Sequence, residues 1–211
     1  MKALLLDLGG TAFVSGNELL RLLGEREPRL RAVAARCGPL GMSPDPLWDR
    51  MIATEIGERE YWRVRCAEVG TAIGRDWSLR EFMDALYTQV DDVVRPEAVA
   101  LVAAARAAGR PVGALTNDLR AFHGEAGLAD LPFLAGLDAV VDASVTGVLK
   151  PDPRAFELGA KALDVDPADV VFVDDMPWNI AGAERAGMIA VEVDLREPAA
   201  AFRRAARELG L

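Results

Sequence analysis

Side chains that could carry out chemistry stand directly after several short apolar runs of the sequence. Asp7 follows the first run, Thr116 follows another, and the pair Asp174-Asp175 follows a third. Lys150 lies between them in the chain, in a Lys-Pro-Asp-Pro stretch. In an open α/β sheet, ligands bind beyond the carboxyl ends of the strands. We therefore expect these residues to meet at one edge of a sheet.

The residue types suit phosphoryl transfer. A carboxylate such as Asp7 can act as a nucleophile and form an aspartyl-phosphate, which divides one difficult step into two easier ones. Like charge opposes its approach to a phosphate, and Lys150 together with a Mg²⁺ ion bound by Asp7 and the 174–175 carboxylates can offset that repulsion. Thr116 and the amides near it can donate hydrogen bonds to the transferring oxygens. We predict Asp7, Thr116 and Lys150 as catalytic residues and Mg²⁺ as the cofactor.

The loop after Asp7 reads Leu-Gly-Gly-Thr. Gly10 lets the main chain approach a phosphate closely, because glycine has no side chain and tolerates unusual backbone angles. The amides of residues 8–11 can bind the same phosphate. The residues expected to bind the phosphate are Gly9, Gly10, Thr11, Thr116, Asn117 and Lys150.

The apolar runs are short and nearly continuous, as in strands of a parallel sheet that is covered on both faces. They span residues 3–6, 111–115, 137–141, 170–173 and 189–193. Helical patterns that open on a proline separate the later runs. They span residues 96–108, 153–163 and 177–186. This alternation predicts βαβ units and an α/β fold with a doubly wound, Rossmann-like parallel sheet.

Residues 14–92 interrupt the alternation. They contain no convincing strand pattern, and Ser78 and Glu81 have the spacing of a capping box at the start of a helix. The helical patterns span residues 17–36, 46–56, 58–69 and 78–91. We expect an α/β core of residues 1–13 and 93–211, with residues 14–92 inserted as an all-helical cap.

The charge balance narrows the range of partners. The chain has 211 residues, with 24 Lys+Arg against 33 Asp+Glu, so its formal net charge is −9. This argues against nucleic acid and against an anionic membrane surface as partners. A small phosphorylated substrate is compatible with it, because a bound cation can invert the local field. Both a monomer and a homodimer are compatible with the sequence.

The sequence gives the expectation of a cytoplasmic protein. No stretch approaches the about 18 apolar residues of a membrane span, and the first residues do not have the shape of a signal peptide. Cys37 and Cys66 form neither a Cys-x-x-Cys pair nor a metal-ligand cluster with the single His123. These features are typical of a reduced compartment.

The chain resembles the haloacid dehalogenase (HAD) superfamily of hydrolases. All four motifs of that family occur in order and over almost the whole length. They are LLLDLGGT at 4–11, ALTN at 114–117, VLKPDPRAF at 148–156 and VFVDDMPWNIAGAERAGM at 171–188. Four motifs in register, each near a predicted strand end, are far more specific than any one of them alone.

The resemblance implies a role for each matching residue. Asp7 corresponds to the nucleophile, which is also a metal ligand. Thr116 corresponds to the phosphate-binding residue of the second motif, and Lys150 to the lysine of the third. Residues 14–92 correspond to the inserted helical cap, which closes over the substrate and sets specificity.

The fourth motif corresponds to the metal site of the family. Asp175 matches the direct Mg²⁺ ligand, and Asp174 matches a carboxylate that holds a coordinated water. Asn179 belongs to the turn and helix that follow the metal site and support it.

Gly9 departs from the family pattern. Most phosphatases of the family have an aspartate two residues after the nucleophile, where it protonates the leaving group and then activates water, while its backbone carbonyl binds the metal. Gly9 keeps the carbonyl and lacks the acid. Loss of a positioned general acid costs about 10²–10⁴ in rate. We therefore expect activity to be limited to good leaving groups, as in acyl, aryl or anomeric phosphates.

Three other functions fit part of the sequence. A metal-free 2-haloacid dehalogenase also lacks the second acid, but such enzymes generally do not retain two adjacent aspartates in the fourth motif. A catalytically weakened binding module on the same fold is supported by Gly9 alone. An ATP-binding loop of the sugar-kinase and actin-like type has a similar Asp-x-Gly-Gly-Thr sequence, but residues 12–211 show no second phosphate loop. The main hypothesis is a Mg²⁺-dependent phosphatase acting on a small phosphorylated metabolite.

Overall fold

The computed structural model describes residues 1–88, 92–120 and 131–211, and the chain divides into two compact units. One unit, here called the α/β unit, comprises Met1–Val14 and Val94–Leu211. The other, here called the helical unit, is Ser15–Val93. His123 and the end of the helix predicted over residues 78–91 lie outside the described residues. That the helical unit acts as a cap stays a prediction.

The helical unit consists of helices and turns in its described part. Its α-helices are α1 Gly16–Arg26, α2 Arg31–Ala34, α3 Pro46–Ile52, α4 Glu58–Ile73 and α5 Leu79–Tyr87. The prediction of one helix over residues 17–36 is wrong, because Pro28 has no amide hydrogen for the helical ladder and begins a separate 3₁₀ turn. The capping box predicted at α5 is confirmed, with Ser78 Oγ accepting from the Glu81 amide.

Aromatic and ionic contacts hold the interior of the helical unit together. Tyr61 meets Trp48 edge-on with ring centroids 5.7 Å apart, and its hydroxyl donates to Asn17 Oδ1 at 2.7 Å. The buried guanidinium of Arg65 is ion-paired with the buried carboxylate of Asp45. These groups therefore serve the packing of the unit in which they lie.

A five-stranded, all-parallel sheet in the order β3-β2-β1-β4-β5 forms the centre of the α/β unit. The strands are β1 Ala3–Leu6, β2 Val112–Thr116, β3 Ala139–Asp142, β4 Val170–Asp174 and β5 Ile189–Glu192. Each overlaps one of the predicted apolar runs, so the predicted α/β fold is confirmed. All residues of β1, β2 and β4 are buried, which is why their runs are continuous instead of alternating.

Helices flank the sheet. They are α6 Pro96–Ala107, α7 Pro132–Ala135, α8 Ala143–Thr146, α9 Pro153–Ala162, α10 Pro177–Arg185 and α11 Pro198–Leu209. The predicted helices that became α6, α9 and α10 are confirmed, and each has its proline in the first turn. Phe156 of α9 meets Phe172 of β4 edge-on, with ring centroids 5.5 Å apart. In the described part of the chain, no helix is both long and apolar enough to span a membrane.

The carboxyl ends of the strands form one edge of the sheet. Strands β2 and β3 lie on one side of β1, and strands β4 and β5 lie on the other side. The strand order therefore reverses between β1 and β4, which is the topological switch point of the sheet. Asp7 directly follows β1, and Asp174 is the last residue of β4. The two carboxylates therefore flank the position where ligands bind in folds of this kind.

Candidate active site

A buried lysine joins the two carboxylates at the switch point. Lys150 Nζ donates to Asp7 Oδ1 and to Asp174 Oδ2, each at 2.6 Å. All three residues are buried, and the ammonium lies 5.4 Å from the centroid of the Phe172 ring. Hydrogen bonds between charged groups in a buried site are shorter and stronger than those between neutral groups. The predicted residues Asp7, Lys150 and Asp174 are thus brought into direct contact.

The electrostatics of this cluster favour a charged lysine and an Asp7 carboxyl that becomes charged near neutral pH. Burial raises the pKa of Asp7 to about 7, with Lys150 lowering it in part and Asp174 raising it further. Burial alone would lower the pKa of Lys150, but the carboxylates of Asp174 and Asp7 hold it above its ordinary value. A carboxyl with a perturbed pKa beside a specific charged partner is a feature of functional sites.

Asp174 is held by donors on every side. Its Oδ1 accepts from the Met176 amide at 2.8 Å, and Asn179 Nδ2 lies 3.1 Å from both carboxylate oxygens. With Lys150 on Oδ2, the carboxylate has little remaining capacity to accept further bonds. Asp174 therefore orients Lys150, and the contacts of Asn179 agree with a supporting role.

Gly10 allows the loop after Asp7 to pass directly beside Asp175. Its φ is +79°, and a Cβ added there would lie 2.2 Å from Asp175 Oδ2. Both the backbone angle and the space therefore require glycine at this position. The absence of a side chain is what lets the Asp175 carboxylate reach the loop.

Gly9 is not under the same constraint. It is exposed, its φ of −67° and ψ of 124° are open to any residue, and a Cβ added there meets nothing within 4 Å. Neither sterics nor backbone geometry explains why an acid is missing at this position.

The acidic residues have the spacing of a magnesium site. Asp7, Asp174 and Asp175 each offer an oxygen, and these atoms lie within 4.8 Å of one another. Mg²⁺ binds oxygen ligands at about 2.0–2.1 Å in octahedral geometry, so opposite ligands are about 4 Å apart. The three carboxylates and their spacing fit this ion if one of them binds it through a water molecule. The water-mediated role of Asp174 and magnesium binding itself both stay predictions.

Asn117 fixes the main chain of Lys150. Its Oδ1 accepts from the Lys150 amide at 2.8 Å, and its Nδ2 donates to the Lys150 carbonyl at 3.1 Å. Both polar atoms of the Asn117 side chain are thus engaged by the residue that carries the ammonium group. The sequence predicts that Asn117 binds phosphate, whereas in the structure its side chain positions the main chain of Lys150.

Two predicted threonines lie at the same edge. Thr116 is the buried last residue of β2 and precedes Asn117. Thr11 is fully buried, and its Oγ1 has no hydrogen-bond partner within the described residues. Their predicted contacts with a phosphate stay predictions.

Arg95 is a site-supporting residue that the sequence did not reveal. Its buried guanidinium donates from Nε to the Thr11 carbonyl at 3.1 Å and from Nη2 to the Gly10 carbonyl at 3.3 Å. The only sequence signal is its position before Pro96 at the start of α6, which says nothing of where the side chain goes. A contact between residues so far apart in sequence cannot be inferred from local patterns.

The fold and these residues define an α/β protein with an acidic site, built around a lysine, at the carboxyl ends of its strands. A family model described as haloacid dehalogenase-like hydrolase matches residues 1–187. The chain belongs to this family, as the four motifs predicted.

Similar proteins include both phosphatases and dehalogenases. A phosphoserine phosphatase from Thermus thermophilus is 32% identical over 171 residues, which is 78% of this chain and 64% of that protein. The (S)-2-haloacid dehalogenase 1 of a Pseudomonas species is 31% identical over 100 residues, which is 47% of this chain and 43% of that protein. The matches to the first curated relatives span less than half of those proteins' own lengths.

A crystal structure of a dehalogenase has the same fold. It superimposes with a TM-score of 0.60 and covers 92% of this chain and 85% of its own, at 21% sequence identity. At this identity the likeness concerns the fold alone. The comparisons therefore establish a HAD-like hydrolase, and its relatives include enzymes of both chemistries.

Proposed function

We propose that this protein is a Mg²⁺-dependent phosphatase that acts on a small phosphorylated metabolite through an aspartyl-phosphate on Asp7. The observation that carries the proposal is the cluster of Asp7, Asp174 and Asp175, whose oxygens lie within 4.8 Å of one another. Adjacent carboxylates repel one another in a buried site unless cations balance them. Lys150 supplies one positive charge, which Asp7 and Asp174 share. A divalent cation is the natural complement of such a site.

The proposed reaction has two steps. A carboxylate oxygen of Asp7 attacks phosphorus, the bond from phosphorus to the leaving oxygen breaks, and the leaving group departs with the electron pair. Water then cleaves the aspartyl-phosphate, which releases inorganic phosphate and regenerates the Asp7 carboxylate. Lys150 offsets the repulsion between Asp7 and the incoming phosphate, and Thr116 donates a hydrogen bond to a transferring oxygen.

The metal site follows from the same residues. Asp7, Asp175 and the Gly9 carbonyl would hold Mg²⁺, with Asp174 bound through a water. When bound, this ion supplies positive charge that neutralises the oxygens of the transferring phosphoryl group.

The substrate class follows from Gly9. No side chain at position 9 can protonate the leaving group, so substrates whose leaving group departs without a proton are favoured. Acyl, aryl and anomeric phosphates have this property, whereas alkyl phosphates do not. We further propose that residues 14–92 act as the cap that selects among such substrates.

A 2-haloacid dehalogenase is the second candidate. It is favoured by Gly9 and by Lys150, whose ammonium bridges Asp7 and Asp174. In that reaction, Asp7 attacks the carbon that bears the halogen, halide leaves with the bonding electrons, and water cleaves the resulting ester. Asp175 has no evident use in this chemistry, which is why we place it second.

One set of assays separates the candidates. The protein is given p-nitrophenyl phosphate and acetyl phosphate with MgCl₂ or with EDTA, and 2-chloropropionate with EDTA. We expect phosphate release that requires Mg²⁺ and is lost in Asp7→Asn. Asp164→Asn is a matched control, because Asp164 is exposed and its left-handed φ of 54° is readily adopted by asparagine. Halide release with EDTA and no phosphate release would overturn the proposal in favour of the dehalogenase.

A further inference from the structure

The loop after Asp7 is held from behind by a buried arginine. We infer that Arg95 is a positioning residue, whose guanidinium fixes this loop and, through one peptide group, the main chain of Asp7. The inference rests on the proposed role of Asp7 as the nucleophile. It concerns a residue outside the four motifs.

The backbone places Arg95 beside the loop. Val94 forms an isolated antiparallel bridge with Phe13, and the Arg95 amide donates to the Ala12 carbonyl at 2.8 Å. Pro96 begins α6 immediately afterwards. The side chain of Arg95 therefore starts from a fixed point next to residue 12.

The side chain then bonds two successive carbonyls. Nε donates to the Thr11 carbonyl at 3.1 Å and Nη2 to the Gly10 carbonyl at 3.3 Å, with Arg95 only 5% exposed. A guanidinium presents its donors in a rigid planar fork, which can bind two neighbouring acceptors at once. A lysine has a single rotatable ammonium and cannot reproduce that geometry.

One peptide group connects Arg95 to Asp7. In a trans peptide the carbonyl and the N–H point in opposite directions. The Thr11 carbonyl accepts from Arg95 Nε, and the N–H of the same peptide group, on Ala12, donates to the Asp7 carbonyl at 3.3 Å. Displacing the guanidinium would therefore tilt this peptide group and disturb the main chain of Asp7.

The loop needs such an anchor because it contains two glycines. Gly10 is left-handed and lies against the Asp175 carboxylate, and its own carbonyl is the acceptor for Arg95 Nη2. Glycine backbones have more conformational freedom than those of other residues. Arg95 restricts that freedom from the side of the loop where its carbonyls point.

The test combines hydrogen exchange with kinetics in Arg95→Met, Arg95→Lys and Arg106→Met. Arg106 is the control, because it lies in the last turn of α6, the helix that Arg95 precedes, and its exposed guanidinium also donates to a backbone carbonyl, that of Gly136. In Arg95→Met we expect amide exchange of the 8–13 segment to rise about tenfold or more. We expect kcat for p-nitrophenyl phosphate to fall about 10–100-fold, because misplacement by about 1 Å can have this effect, with little change in KM.

The controls distinguish positioning from general stabilisation. Arg95→Lys should lie between wild type and Arg95→Met in both measurements, and Arg106→Met should match wild type. A folded Arg95→Met with wild-type exchange and kcat overturns the inference, as does an equal effect of Arg106→Met. If Arg95→Met does not fold, wild-type exchange in Arg95→Lys overturns it. Wild-type protein without phosphatase activity would refute the proposed function, while the exchange measurement would still decide the role of Arg95.

Discussion

Position 9 offers a direct test of how the leaving group departs. Gly9 is exposed, its backbone angles suit any residue, and a Cβ there meets no atom within 4 Å. Gly9→Asp should therefore fold without strain. The gain from restricting the unfolded chain and the repulsion from nearby carboxylates oppose each other, so we expect the free energy of unfolding to change by less than about 1 kcal/mol.

The effect on rate should depend on the substrate. Gly9→Asp places a carboxyl group two residues after Asp7, where it can protonate the leaving oxygen. For an alkyl phosphate, kcat/KM should rise by about 10²–10⁴, which is the usual contribution of a positioned general acid. For p-nitrophenyl phosphate it should change by less than about threefold, because nitrophenolate leaves without needing a proton.

The assay is a series of phosphate monoesters whose leaving groups differ in pKa. The logarithm of kcat/KM should fall steeply with leaving-group pKa in the wild-type protein and much less steeply in Gly9→Asp. Gly9→Asn is the matched control, because it adds a side chain of the same size that cannot donate a carboxyl proton. Parallel slopes for wild type and Gly9→Asp, or an equal gain in Gly9→Asn, would refute the reasoning.

Three further predictions use urea denaturation as the measurement. Lys150→Met should lower the free energy of unfolding by about 3–5 kcal/mol, because it leaves buried carboxylates without their cation. The control Lys161→Met, at an exposed lysine, should change the free energy of unfolding by less than about 0.5 kcal/mol. Equal stabilities of the two variants would contradict the role of the ion pairs. Gly10→Ala should destabilise by about 1–3 kcal/mol, since its φ is +79° and its Cβ would lie 2.2 Å from Asp175 Oδ2. Burial raises the pKa of Asp7 to about 7, so without metal the contribution of Asp7 to the free energy of unfolding should be largest at about pH 4 and fall as the pH rises through about 7. Asp7→Asn should remove that part of the pH dependence.

The sheet and the strand-end residues could be predicted because one physical cause governs both. Strands covered on two faces must be apolar throughout, so β1 and β4 stand out as continuous runs. Parallel strands joined by helices place their carboxyl ends at a common edge. Asp7 and Asp174 could therefore be placed together from their positions in the sequence alone.

The sequence-based predictions were wrong or incomplete where a single proline interrupts a helix, or where residues far apart in the sequence make contact. The amphipathic spacing predicts one helix over residues 17–36, but Pro28 interrupts the helical ladder within that span. The pairing of Asn117 with the Lys150 main chain and of Arg95 with the Gly10 carbonyl joins residues far apart in the sequence. Nothing in the local sequence records such contacts, since they exist only when the chain has folded.

The antiparallel bridge between Phe13 and Val94 has a consequence for the evolution of the protein. It brings together the two points at which the chain leaves and re-enters the α/β unit. Strands paired in this way can be joined by a turn of about 2–5 residues. Recombination at this pair could therefore exchange the whole helical unit without lengthening or shifting any strand of the sheet.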